Sequence, residues 1–310
     1  MKTAACMVVL GLLFAPTAAA EARNLYEWLA VAEFVAVGEN LGTHGKYTEF
    51  RIDRILRGPA FPTERVRVNV RRANRDRDRY VVKEALRFDK GRSYLLLLER
   101  TETRDADAPP TFEFVRGARG ARELPPEGAT AYLEAVERFL RLQDLNDDRR
   151  VWSELSSMLE DPNPVLLETA LELHLKFRRG SLELLGSVRP LFDHPSDAMR
   201  ERAILLVEQI LQRHEEEPPR ESAALLSELV AKARRDPSVP VRVAATRALV
   251  ALPQGDVGPI LEEIAEEDPD QAVRYEAERL LLERETDEKE TPERAAADGS
   301  VRSEADTPRD

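Results

Sequence analysis

The chain has 310 residues, 42% hydrophobic and 34% charged, with a net charge of -12 and a single cysteine. That is enough apolar material for more than one core, and too little thiol for a disulfide framework or a cysteine-built metal site. The charge is divided along the chain: residues 21–123 hold 21 Lys+Arg against 17 Asp+Glu, whereas the part after Glu123 is strongly acidic.

Residues 1–20, "MKTAACMVVLGLLFAPTAAA", place Lys2 before a short apolar run and small residues before Glu21. This is the pattern of a secretory signal peptide cleaved near Ala20, and the run is too short to span a bilayer. Cys6 lies inside it, so the mature chain is expected to have no thiol, disulfide or cysteine nucleophile. No later stretch is apolar for long enough to span, so an exported protein is expected, periplasmic or extracellular, with no membrane span after cleavage.

Residues 21–123 read as a small β domain. In "YTEFRIDRIL", Thr48, Phe50 and Ile52 alternate with charged residues; in "ERVRVNVRR", Val66, Val68 and Val70 do the same. Period-two alternation puts one face in a core and the other in water. "YLLLL" at Tyr94–Leu98 reads as a strand buried on both sides, and "AEFVAVG" and "TFEFVRG" complete about five strands, enough for a closed OB-type barrel. The order "EFVAVG", "FRIDRILRGP", "VRVNV", "FDKGRSYLLLLE" resembles the netrin-like module shared with tissue inhibitors of metalloproteinases. Members of that inhibitor family begin with a metal-chelating cysteine. The mature chain here has none, so the resemblance does not imply protease inhibition.

After Pro125 and Pro126 the period becomes helical, and residues 124–284 read as an α-solenoid. Ala170, Ala203, Ala245 and Ala277 hold equivalent places in "DPNPVLLETALEL", "DHPSDAMRERAILLVEQIL", "DPSVPVRVAATRALVAL" and "DPDQAVRYEAERLLL", with second helices between them. Repeats of about this length built from paired helices define a solenoid. The copies with Asp236, Arg242 and Ala245, and with Asp268, Arg274 and Ala277, resemble HEAT repeats of the short bacterial kind. Arg200 with Ala203 is a fair copy, and the first has Leu167 where the arginine belongs. In that family such arginines pair with aspartates or cap turns, which is the role expected here. Residues 285–310 are acidic, nearly devoid of large apolar side chains, and expected to be a disordered tail.

The candidate chemistry is thin. Asp144, Asn146 and Asp148 alternate as in a calcium loop, but Arg149 stands where glycine is needed and Leu155 where the bidentate glutamate is needed. His44, His174, His194 and His214 are never three or four residues apart, and phosphate-loop and nucleophile-elbow motifs are absent. No metal, cofactor or catalytic residue is therefore expected. The arginines Arg65, Arg67, Arg71, Arg72, Arg75 and Arg77 form a basic stretch suited to a polyanion such as a sulfated or phosphorylated polymer. Nucleic acid is not expected, given the export signal and the shortage of stacking aromatics. The resulting expectation is a two-domain exported protein, β then all-α, that binds another exported or envelope protein without catalysis. Glu262, Glu263 and Glu266 are candidate contacts on a second helix, and polyanion binding by the barrel is the alternative.

Overall fold

A computed structural model describes residues 24–60, 64–70, 88–101, 111–115, 120–124, 126–214, 219, 222–252, 256–284 and 286. Residues 1–23, where a signal peptide is expected, and residues 287–310, where a tail is expected, lie outside the described residues, as do Arg71, Arg72, Arg75 and Arg77. The backbone divides into two compact units, Met1–Trp152 and Ser153–Asp310.

The first unit opens with helix α1 (Leu25–Val31), where strands were expected. Its start is a capping box: the Asn24 side chain accepts from the Glu27 amide at 3.1 Å, and the Glu27 carboxylate accepts from the Asn24 amide at 3.3 Å. Six strands follow: β1 (Phe34–His44), β2 (Tyr47–Arg57), β3 (Arg65–Asn69), β4 (Ser93–Arg100), β5 (Thr111–Phe114) and β6 (Ala121–Glu123). Pairing runs β1-β2-β3-β5-β4, and β4 returns to β1, so five strands close into a barrel; β3 and β5 are parallel and the other pairs antiparallel. The short β6 adds to β4 beyond the expected set.

Closure leaves no free edge in the five-strand ring and encloses a core of Phe34, Phe50, Val66, Val68, Leu96, Leu98, Phe112 and Phe114. The long β1–β2 pair coils around it through three register shifts. At Gly38 a side chain would bring Cβ to 2.9 Å from the Arg51 carbonyl oxygen, so glycine is required there. Buried Asn40 ties β1 to the segment before β4: its amide donates to the Phe88 carbonyl at 2.8 Å, and its oxygen accepts from the Gly42 amide.

Helix α2 (Ala129–Gln143) belongs to this first unit and packs on α1. Tyr26 meets Phe139 edge to face, Arg57 bridges the Leu29 carbonyl and the Gln143 side chain, and Gln143 donates to the Tyr26 carbonyl at 2.6 Å. Helix α3 (Asp148–Ser157) spans the boundary, its start held by Asp147 accepting from the Arg149 amide.

The second unit is all helical. It contains α4 (Pro164–Lys176), a composite segment centred on α5 (Leu185–Val188) with 3-10 turns at Leu182–Leu184 and Arg189–Asp193, α6 (Asp197–Arg213), α7 (Ser222–Arg235), α8 (Val239–Val250), α9 (Gly258–Glu267) and α10 (271–284). First helices α4, α6 and α8 pack in succession, and α7 packs on α8 as the second arm of a hairpin. The aligned alanines Ala170, Ala203, Ala245 and Ala277 are all fully buried, so the smallest side chain stands where helices approach closely. Among the described residues no helix is long and apolar enough to cross a membrane.

Candidate protein-binding surface

Every repeat begins with the same turn. Asp161 accepts from the Asn163 amide at 2.9 Å, Asp236 from Ser238 at 3.0 Å and Asp268 from Asp270 at 2.8 Å. At the second repeat His194 does the same work, its Nδ1 accepting from the Ser196 amide at 3.1 Å. In α6 and α8 these side chains sit two residues before the N-cap, outside the helix, and orient the chain that enters it.

The repeat arginines tie one turn to the next. Arg200 grips Asp236 through two parallel bonds, Nε at 2.9 Å and Nη2 at 2.8 Å, and its third nitrogen donates to the carbonyls of His194 and Pro195. Arg242 repeats the arrangement one step on, with Asp268 at 2.9 and 3.1 Å and the Asp236 carbonyl at 2.9 Å. These side chains are buried, and the bidentate fork satisfies both carboxylate oxygens. Burial works to raise the Asp236 carboxyl, but the Arg200 fork, the Ser238 amide and Lys232 outweigh it and hold the group below its usual range. The same fork raises Arg200. At the first junction both partners change together: Leu167 replaces the arginine and His194 replaces the aspartate it would hold. Arg200, Arg242, Asp236 and Asp268 therefore join repeats as structural residues.

Between the second arms of two successive hairpins lies a groove of about 710 Å³. Arg189, Asp193, Glu228, Lys232 and Arg235 line it over an apolar floor that includes Phe192. Arg189 holds Glu228 at 2.7 and 3.0 Å, and Lys232 reaches Asp193 at 2.7 Å. Asp236 also borders the groove, but its oxygens are engaged by Arg200 from the packed side. Arg235 is exposed and has no carboxylate partner among the described residues, which leaves the groove one cation in surplus. Sequence reasoning passed over Lys232 and Arg235 because charges near a helix C-terminus are common for reasons of the helix dipole alone.

Of the predicted contacts on α9, Glu262 and Glu266 are exposed, while Glu263 is ion-paired with Arg234. On the barrel, Arg65 and Arg67 point outward as the alternation requires, with Val66 and Val68 buried. Their surroundings are close to neutral: Arg67 is bonded to Glu49 at 2.8 Å, and Arg51, opposite Arg65, is paired with both Glu39 and Asp53. The other four arginines of that candidate stretch, Arg71, Arg72, Arg75 and Arg77, lie outside the described residues.

His174 is buried, its Nδ1 donating to the Arg179 carbonyl at 2.8 Å where α4 ends. Burial lowers its pKa, and that carbonyl opposes the shift only in part. Among the described residues no group of three His, Cys, Asp or Glu side chains is arranged to hold a metal ion.

A five-stranded barrel followed by packed helical hairpins defines this protein's class. No protein-family model, no curated protein and no solved structure matches the chain.

Proposed function

We propose that this is an exported, non-catalytic scaffold that binds another protein, with a HEAT-like solenoid as the gripping surface and a netrin-like barrel as a second contact. The groove carries this reading. It lies on the second arms of the hairpins, and its apolar floor is rimmed by charges with one uncompensated arginine. Such a surface fits an extended acidic segment of a partner, whose apolar side chains contact the floor and whose carboxylate meets Arg235.

The test is co-purification of cross-linked partners from the native envelope with the wild-type chain and with a Lys232→Glu/Arg235→Glu variant. Loss of the partner from the variant, with its melting curve unchanged, supports the groove. If the variant retains the partner while high salt or Arg67→Glu releases it, binding belongs to the barrel and the solenoid reading fails.

A further inference from the structure

The arginine ladder runs out before the helices do. Arg274 starts as its predecessors do, donating to the Asp268 carbonyl at 2.6 Å, as Arg242 does to the Asp236 carbonyl. Among the described residues no aspartate or glutamate meets its remaining N–H groups. One side of helix α10 is left uncovered in the same way. The residue after each aligned alanine is fully buried in three repeats, as Leu171, Ile204 and Thr246, but its fourth counterpart, Glu278, is exposed. Glu208 is 6% exposed, whereas Leu282 at the same place in α10 is 63% exposed, and Tyr275 is 57% exposed. Arg274, Tyr275, Glu278 and Leu282 follow helical spacing and so share one side of α10. In the inner repeats that side is where the next repeat stacks.

We propose that this side of α10 docks a helix from a partner protein that begins with an aspartate-capped turn. The aspartate takes the fork of Arg274, and the helix behind it covers Tyr275 and Leu282. The chemistry of the occupant is written twice inside the molecule, where Asp236 and Asp268 fill the forks of Arg200 and Arg242 and lead into the next first helix, and on the helices so covered Ile204, Glu208 and Thr246 are buried. Residues 285–310 supply carboxylates, but apart from prolines their only apolar side chain larger than alanine is Val301, too little to cover a tyrosine and a leucine. In a second copy Asp236 and Asp268 are already buried against their own arginines. The site is separate from the groove and does not rest on that reading.

The experiment places the photo-reactive amino acid p-benzoylphenylalanine at Tyr275 of the full chain, irradiates cells that make it, and sequences the cross-linked peptide. The expected peptide comes from another protein and carries an aspartate at a helix start. Its yield falls by at least about tenfold, the scale of one charge-assisted pair, with Arg274→Ala and with Leu282→Glu. It persists in Lys232→Glu/Arg235→Glu, and Arg274→Asp is rescued by the reciprocal Asp→Arg change in that partner. Cross-links to residues 285–310 or to a second copy overturn the proposal. So does a peptide without an acidic helix start, a yield indifferent to Arg274, or no cross-link at all. Thermal melts of the two variants confirm that α10 remains folded.

Discussion

The barrel and the helical unit solve the same problem in opposite ways. The barrel is closed: each strand of its ring is paired on both sides, and its centre is apolar, with Asn40 and Thr48 the buried polar residues of its described part. The helical unit is a stack, in which neighbouring hairpins must be held in register by side chains. It buries Arg200, Asp236, Arg242 and Asp268 to do so. A closed barrel satisfies its own backbone, whereas a stack specified by forward-reaching arginines always leaves one of them over. Two probes separate the halves in solution: Trp28 lies in α1 of the first unit, so the fluorescence of chains carrying Trp152→Phe, which removes the tryptophan of the boundary helix, reports on that unit, and most helix lies in the second.

The largest effect is expected at the barrel's centre. Phe50 is fully buried and meets Phe88, Tyr94 and Phe114 edge to face at 5.4, 6.0 and 6.2 Å. Phe50→Ala removes those contacts and leaves a cavity, at a cost of about 3–5 kcal/mol. The denaturant midpoint followed by tryptophan fluorescence should fall, with the helical signal at 222 nm shifting little. Equal shifts in both signals would dissolve the contrast between the two units.

Next comes the ladder. Asp236→Ala strands the buried Arg200 guanidinium and should cost about 3 kcal/mol, at the low end for a broken buried pair because Arg200 keeps its two carbonyl acceptors. Here the 222 nm transition should move and the tryptophan transition should not. The pH dependence has a definite sign. The folded Asp236 carboxyl is held below its unfolded value of about 4, so its contribution is complete above pH ~4 and disappears as pH falls through the folded value. The gap between wild type and Asp236→Asn should therefore be constant from neutral pH down to about 4 and close below it. The first junction sharpens the test: Arg200→Leu combined with Asp236→His copies the Leu167/His194 pair, and should cost less than the sum of the single changes. Additive losses would mean that the matched replacement at that junction has no energetic basis.

What could be read from the sequence follows from periodicity. Alternation at Val66 and Val68 announced a strand with one wet face, and the four aligned alanines announced close helix packing. In both cases the signal is local and repeated. The start of α1 is also written in the sequence, since Asn24 and Glu27 at capping-box spacing mark a helix, but at seven residues the helix is too short to show a 3.6-residue period beside the strand alternation that follows. Strand β6 is three residues long and carries no alternation to read. His194 acting in place of an aspartate could not be anticipated from composition, because histidine serves as a turn acceptor only when its ring is held at the right tautomer. The groove was hidden for a different reason: its lining comes from residues about forty positions apart, and Lys232 and Arg235 become a surface only when two hairpins are laid side by side.

The smallest effect is expected on the outside of the barrel, where charges are numerous and energetically slight. Arg67 is about half exposed and bonded to Glu49 across the β2–β3 pair. Solvent screens this pair, so Arg67→Ala should change the stability of the first unit by no more than about 0.5 kcal/mol. That is several times less than the loss predicted when Arg200 is stranded, although both arginines hold a carboxylate at nearly the same distance. The tryptophan-detected midpoint of Arg67→Ala, measured at low and at high salt, checks the argument, because a screened pair loses its small contribution as salt rises. A loss of 2 kcal/mol or more, unmoved by salt, would place structural charge in the barrel as well, and the division between a unit closed by its backbone and a unit joined by its side chains would no longer hold.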